Sequence, residues 1–382
     1  LGLGQSPFPV PAPVVAALRA AAPEKDYLPP AGLPDLRAAV AEFHRRRHGL
    51  ALSADNVVVG PGSKELMFLL QLCFDGDILL PTPSWVSYVP QARLAGRTAV
   101  ALPGGGRHGI ELTPEALERA CAGGVRPRLL FLNSPSNPTG LAYEPAEIEA
   151  LAGVCRAHGI VVLSDEIYGE LRFDGRHVSF ARAYPEGTIV ASGLSKWCGA
   201  GGWRLGTLAM PPTLSPLRRA LEAVASETYS TTSAPIQRAA IAAFRSSAEI
   251  ESYLLDARRV LQFVMTWAQG ELARAGLEVP VPSAAFYLFP GFGPLREALA
   301  RRGVRDDVAL CDLLLASTGV FALPGSAFGM PPEALWTRLA LVDFDGARAL
   351  TAARDGALDD AFLRTHVAPL WEAIAGELGG GT

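Results

Sequence analysis

Two rhythms of apolar residues run along the chain. Short runs at 57–59, 77–80, 129–132, 160–163, 189–191 and 207–210, apolar apart from Asp77 and Thr207 at their starts, read as strands buried on both faces. Between them the spacing becomes helical. Leu33, Leu36, Val40 and Phe43 share one helix face ahead of a stop at His48-Gly49. Segments 64–74 and 145–158, the latter closed by Gly159, and one opening at Thr113-Pro114-Glu115 continue the series. Strands alternating with helices predict an α/β fold, a mostly parallel central sheet sandwiched by helices. Past a long helical stretch over 248–276, short strands at 285–289, 320–323 and 339–342 predict a second, smaller α+β domain. The Gly/Pro-rich opening LGLGQSPFPVP is expected to return to it as an arm. In the expected division, residues 1–45 form the arm and a portion of the small domain, 46–270 the large domain and 271–382 the C-terminal small domain. The GELGGGT end is expected to fray.

In a parallel sheet, ligands sit beyond the carboxyl ends of strands. Asn137, Asp165, Tyr168 and Lys196 each follow a predicted strand end, so they converge on one edge. The stretch 189–206, IVASGLSKWCGAGGWRLG, is the most informative. It runs from a strand end through Ser195 and Lys196 into Gly199, Gly201 and Gly202, then Trp203 and Arg204. Such glycines let backbone approach a ligand closely.

Composition sharpens this picture. Of 34 basic side chains only Lys25, Lys64 and Lys196 are lysine. Arginine stays protonated, whereas a desolvated amine can lose its proton and add to a carbonyl. A solvated surface lysine is the bland alternative, and the apolar and glycine flanks argue against it. Arg204 carries a planar fork suited to phosphate. Gly60-Pro61-Gly62-Ser63 passes from a strand into a helix N-terminus, a ready anion site, although no Walker A loop is present. Trp85 lies in a rigid loop, where it either packs or stacks on a flat ligand.

Other signals are set aside. Gly104, Gly106 and Gly109 spell G-x-G-x-x-G, but the helix begins too late for a dinucleotide fingerprint. His44 and His48 stand one turn apart among three arginines, and a solvated helix end is expected there rather than a metal site. Five widely spaced cysteines predict reduced thiols and no zinc. A net charge of −4 without like-charge blocks gives no footprint for nucleic acid or an anionic membrane. No apolar run approaches a membrane span. A cytoplasmic protein lacking its first residues is expected.

The edge constellation suits a phosphate-bearing ring aldehyde. Lys196 would form the Schiff base, and Asp165 would hold a proton on the ring nitrogen. Asn137 and Tyr168 would bond the phenolic oxygen, and Trp85 would cover the ring. Gly62, Ser63, Lys64, Ser195 and Arg204 would take the phosphate. Released from the aldehyde, Lys196 would act as general base on the Cα proton. That is the chemistry of pyridoxal 5'-phosphate.

The motifs LGLGQSPF, YLPPAGLPDLR, GPGSKE, PTPSWVSY, NSPSNPTG, SDEIYGEL, SGLSKWCGAGGWRLG, AAFYLF, LPGSAFG and RLALV follow one another in order. On them the chain resembles the class I/II aminotransferases of the aspartate aminotransferase superfamily, pyridoxal-phosphate fold type I, from Gly4 nearly to the end. The resemblance implies Lys196 as the Schiff-base lysine, Asp165 as ring-nitrogen partner and Asn137 and Tyr168 as phenolate partners. It further implies Trp85 beside the ring, Arg204 at the phosphate, and Arg338, helped by Asn137 and the backbone near Gly4, on the substrate α-carboxylate. Tyr27 falls where a tyrosine reaches the neighbouring subunit's phosphate, which implies a homodimer with shared sites. The implied activity is transamination between an L-amino acid and a 2-oxo acid. Lyases, sulfonium-eliminating synthases, decarboxylases and a non-catalytic sensor share the fold and stand as alternatives. The chain departs from the family at Gly193, where many members carry a phosphate-binding serine; Ser192 or Ser195 is the candidate replacement.

Overall fold

In the computed structural model, which describes residues 1–122 and 127–367, the six expected runs and one further strand, Ala99–Pro103 at the sheet edge, line up as one seven-stranded sheet. Its strands are β1 (Val57–Gly60), β2 (Asp77–Thr82), β3 (Ala99–Pro103), β4 (Pro127–Asn133), β5 (Val161–Asp165), β6 (Thr188–Gly193) and β7 (Gly206–Ala209). They lie in the order β1-β7-β6-β5-β4-β2-β3. The stretch from β3 through β2, β4 and β5 to β6 is parallel, and β7 runs antiparallel to both β6 and β1. The sheet is thus mostly parallel, as expected. The hook after β6 holds no α-helix, and the chain turns back on itself at β7.

Alternation across the pleat feeds two separate cores. Ile78, Leu80, Leu129 and Phe131 point to one face and pack with Leu66, Met67 and Leu221. Leu79, Leu130 and Leu132 point to the other and meet Leu117, Leu151 and Cys155. Burial on both faces is why the strands show runs rather than alternating polarity. The covering helices are, in chain order, α1 (Ala12–Ala21), α2 (Pro34–His48), α3 (Ser63–Cys73), α4 (Tyr88–Leu94), α5 (Pro114–Ala122), α6 (Pro145–His158), α7 (Ser215–Thr228), α8 (Ala234–Arg245) and α9 (Ala248–Arg274). Helix α6 shows how local chemistry sets ends: Pro145 opens it, Glu147 returns a carboxylate to the Glu144 N–H, and Gly159 closes it at φ 61°.

A smaller antiparallel sheet follows, β8 (Tyr287–Leu288), β10 (Thr337–Ala340) and β9 (Leu323–Pro324) in spatial order. The first two of these in chain order are shorter than the expected 285–289 and 320–323, and β10 keeps the length of the expected 339–342; β9 and β10 are shifted along the chain. The flanking Phe286, Phe289 and Val320 are buried in irregular backbone, and burial alone does not mark a strand end. The N-terminal arm does return: Ala340 N donates to the Leu1 carbonyl at 2.8 Å, and Phe8 packs edge-on against Tyr253 and Phe344. The GELGGGT terminus lies outside the described residues.

One expectation is reversed. His44 and His48 are not a solvated helix end but are 1% and 6% exposed. Arg45 and Arg46 leave toward Glu42 on the outer side of α2, while the histidines, one turn apart, face inward against Phe43 and His177. Among the described residues no three His, Cys, Asp or Glu side chains are grouped to hold a metal ion, and no helix is long and apolar enough to cross a membrane.

Candidate active site

Three neighbouring strands end together and set the site. Asn133 closes β4 opposite Asp165 of β5, and Asp165 pairs in register with Ala191 of β6. Asn133 Nδ2 donates to the Asp165 carbonyl at 2.8 Å, while its Oδ1 accepts the Asn137 N–H at 2.7 Å. That clamp folds the NSPSNPTG loop back over the sheet edge. The hook after β6 brings Lys196 to the same place, and a cavity of about 340 Å³ opens between them.

Lys196 Nζ donates to the Gly4 carbonyl at 2.6 Å and lies 5.7 Å from the Tyr168 ring centre. Burial lowers its pKa to about 8; Asp165 works against the shift, and Arg338 and Arg204 add to it. Asp165 is 4% exposed. Burial raises its carboxyl to about 6, although Tyr88, the Ile167 N–H and Lys196 pull it back. Tyr88 Oη donates to Oδ2 at 2.7 Å, and the Ile167 N–H reaches Oδ1 at 3.3 Å. An amine that sheds its proton near neutrality beside a carboxylate is what carbonyl capture and proton transfer need.

On the small-sheet side, Arg338 projects from β10 with Tyr287 and Phe328 rings 4.9 and 5.2 Å from its guanidinium carbon. Its Nη1 donates to Asn137 Oδ1 at 3.2 Å and its Nη2 to the Gly2 carbonyl. The guanidinium is therefore fixed in plane and turned to the cavity, a geometry suited to a carboxylate. Tyr168 and Tyr287 share a hydroxyl–hydroxyl bond of 2.8 Å on the intervening wall.

The opposite end forms an anion cup. Helix α3 begins at Ser63 beneath it, so first-turn amides point inward. Arg204, at φ 54°, folds its guanidinium back onto the Gly201 carbonyl at 2.9 Å and over Gly62. A Cβ on Gly62 would stand 2.2 Å from that guanidinium, and one on Gly206 would stand 2.0 Å from the Ser63 nitrogen. Glycine is required at both places for the cup to exist. With Ser195 also lining the cavity, the donor set fits a phosphate, and the buried Asp165 fits a ring nitrogen. The residues present therefore suit pyridoxal phosphate.

Gly4, Ser63, Lys64, Trp85, Asn137 and Asp165 all line this one cavity, as do Tyr168, Ser195, Lys196, Arg204 and Arg338. Gly62 sits just behind Arg204. Tyr27 is 90% exposed and lies outside its own chain's cavity. At Gly193 a Cβ would be 2.6 Å from the Leu205 carbonyl oxygen, so the serine common in the family has no room here. Ser192 stays in β6 opposite Thr207, and Ser195 is the serine at the cavity. Sequence reasoning does not single out Tyr88, Tyr287 and Asn133. Each lies within one of the quoted motifs, but only the fold shows which polar atom each one meets.

Comparisons with known proteins agree with this geometry. The family model described as aminotransferase class I and II matches residues 1–349. An aspartate aminotransferase of Geobacillus stearothermophilus is 36% identical over 341 residues, 87% of this chain and 84% of that protein. An aspartate/prephenate aminotransferase of Cereibacter sphaeroides is 34% identical, over 87% and 84% of the two chains. Among solved structures, aspartate aminotransferase from Thermus thermophilus with maleate superposes with a TM-score of 0.81 at 30% identity, covering 93% of this chain and 90% of that one.

Proposed function

The chain belongs to the class I and II aminotransferases, and on that premise we propose that the cavity around Lys196 is its active site. It is a pyridoxal-phosphate-dependent transferase that moves an amino group between an amino acid and a 2-oxo acid. The observation that carries the assignment of the site is one part-buried amine, lowered to about 8, in the same cavity as a buried carboxylate.

Bound there, the coenzyme supplies an electron-accepting ring for the pair left when the Cα–H bond breaks. The remaining tasks fall to the chain. Ser63, Ser195 and Arg204 would hold the phosphate, with Gly62 leaving room for it. Asp165 holds a proton at the ring nitrogen, Asn137 and Tyr168 bond the phenolic oxygen, and Trp85 covers the ring. Lys196 would hold the coenzyme through its aldehyde and, as a free amine, would serve as the general base at the substrate Cα. Arg338 grips the α-carboxylate, helped by Asn137 and the backbone at Gly4.

Four cationic side chains line the cavity: Lys64, Lys196, Arg204 and Arg338. Three are committed to the aldehyde, the phosphate and the α-carboxylate. Lys64, with Nζ 5.3 Å from the Trp85 ring centre, is left to meet a second acid group. We therefore take the substrates to be dicarboxylic, in keeping with the names of the relatives. The enzyme works as a homodimer in which the exposed Tyr27 reaches the partner's phosphate, and in the cytoplasm, where its five free cysteines stay reduced. Residues 1–45 supply the arm and some of the small domain, 46–270 the large domain and 271–382 the remainder of the small domain.

The test is a panel of L-amino acids added to purified holoenzyme while the coenzyme spectrum and released products are followed. Aspartate or glutamate should convert the coenzyme to its amine form and release a 2-oxo acid. Pyruvate with ammonia would indicate a lyase instead, and a spectrum that shifts without product would indicate a sensor.

A further inference from the structure

Tyr88 begins α4, three residues past Trp85, and is 1% exposed. Its ring is wedged between Trp85, edge-on at 5.3 Å, and Phe131 of β4 at 5.0 Å. Packing of that kind fixes the direction of the phenol. The hydroxyl ends 2.7 Å from Asp165 Oδ2 at the bottom of the cavity. Asp165 Oδ1 takes only a long contact from the Ile167 N–H, at 3.3 Å, and remains available to a ligand.

The roles of the two carboxylate oxygens are therefore unequal. Oδ2 accepts a short bond from a neutral donor, whereas Oδ1 takes only the longer Ile167 N–H contact. A donor on a carboxylate stabilises its ionised form and weakens it as a base. A proton shared between that carboxylate and a pyridine nitrogen then stays with the nitrogen. The phenol does not compete for the negative charge, since burial and the neighbouring Asp165 hold its own pKa well above 10. A water molecule would not serve as well, because the ring packing leaves the hydroxyl one direction in which to donate.

We infer that Tyr88 is a positioning residue for Asp165: it fixes the carboxylate rotamer and lowers its proton affinity, so that the shared proton resides on the ring nitrogen of the coenzyme. This rests on Asp165 being the ring-nitrogen partner, and the experiment separates the two. Holoenzyme is reconstituted with ring-15N pyridoxal phosphate in the wild type, Tyr88→Phe, Asp165→Asn and the double variant. The ring-nitrogen resonance is then read alongside kcat and KM. Phenylalanine keeps the ring packing, and Tyr88→Met serves as a second hydroxyl-free variant.

The wild-type resonance should sit at the protonated position and move toward the neutral position in Tyr88→Phe and in Asp165→Asn. The tyrosine change should lower kcat about tenfold or more at nearly constant KM, as expected for loss of one charge-assisted hydrogen bond. In the Asp165→Asn background it should add nothing. A Tyr88→Phe resonance coincident with wild type, while Asp165→Asn moves, would overturn the role of Tyr88 alone. An unmoved resonance in Asp165→Asn would overturn the ring-nitrogen assignment on which it rests.

Discussion

The Lys196 amine donates to the carbonyl of Gly4, 2.6 Å away and 192 residues distant in sequence. The amine thus lies beside the opening residues of the chain, and the arm that returns to the small sheet lines the cavity with Leu3, Gly4 and Gln5.

The first prediction concerns that depression. Only the neutral amine adds to an aldehyde, and the folded-state pKa is about 8 rather than the usual 10.5. The rate at which coenzyme-free enzyme captures pyridoxal phosphate should therefore rise with pH and level off above about 8. Stopped-flow absorbance from pH 6 to 10 measures it; a rate still climbing steeply at pH 10 would mean an unperturbed lysine.

Lys196→Ala should bind coenzyme without the covalent bond and lose turnover by on the order of 10⁴-fold or more, since it removes both nucleophile and general base. Borohydride reduction followed by peptide mapping should label residue 196 in the wild type and nowhere in the variant. Appreciable turnover by the variant would count against the assignment.

Arg338 and Lys64 should fail differently. Arg338→Ala should raise KM for every amino acid by a similar factor, on the order of 10- to 100-fold for a lost charged pair. Lys64→Ala should penalise aspartate and glutamate while leaving alanine and phenylalanine nearly as they were. Parallel steady-state kinetics on four substrates suffices, and a uniform loss in the lysine variant would assign it to the phosphate instead.

Gly193→Ser would install the residue many relatives carry. Here it should not improve coenzyme binding, because the new Cβ meets the Leu205 carbonyl at 2.6 Å. A cost of about 1–3 kcal/mol in stability is expected from such overpacking. Denaturant unfolding together with coenzyme titration checks both halves.

Acid should act through α2. Burial lowers the pKa of His44 from 6.5 to about 4, Glu166 opposing and His177 adding to the shift. The folded state holds this ring neutral, so its contribution is present above pH 6.5 and is lost as pH falls toward 4. The loss is about 3 kcal/mol on that single titration. His44→Leu should flatten this region of the stability curve; unchanged curvature between pH 6.5 and 4 would place the titration elsewhere.

Much of the site was legible because strand ends are marked by composition. Buried runs stop where Asn, Asp and Ser-Lys begin, and a parallel sheet carries those stops to one edge. Arg338 and Gly4 needed the family resemblance, since nothing in their own spacing tells that the small sheet and the arm face the large one. Tyr88 and Tyr287 stayed hidden for a different reason: an aromatic in an apolar motif is indistinguishable from packing until its hydroxyl has a partner. His44 and His48 misled because flanking arginines suggested exposure, whereas a helix brings side chains four apart back to one face, so both histidines turn inward while Arg45 and Arg46 between them turn out.

The tight seat of Gly206 on Ser63 carries one last implication. Lys196 and Arg204 ride on a single β6–β7 turnback whose end at Gly206 is pressed against the start of α3, so on the proposed reading the amine and the phosphate grip share one support. Variation that loosens the grip on the coenzyme will also misalign the amine, and lineages of this enzyme should find tighter cofactor retention and faster chemistry gained or lost as one trait.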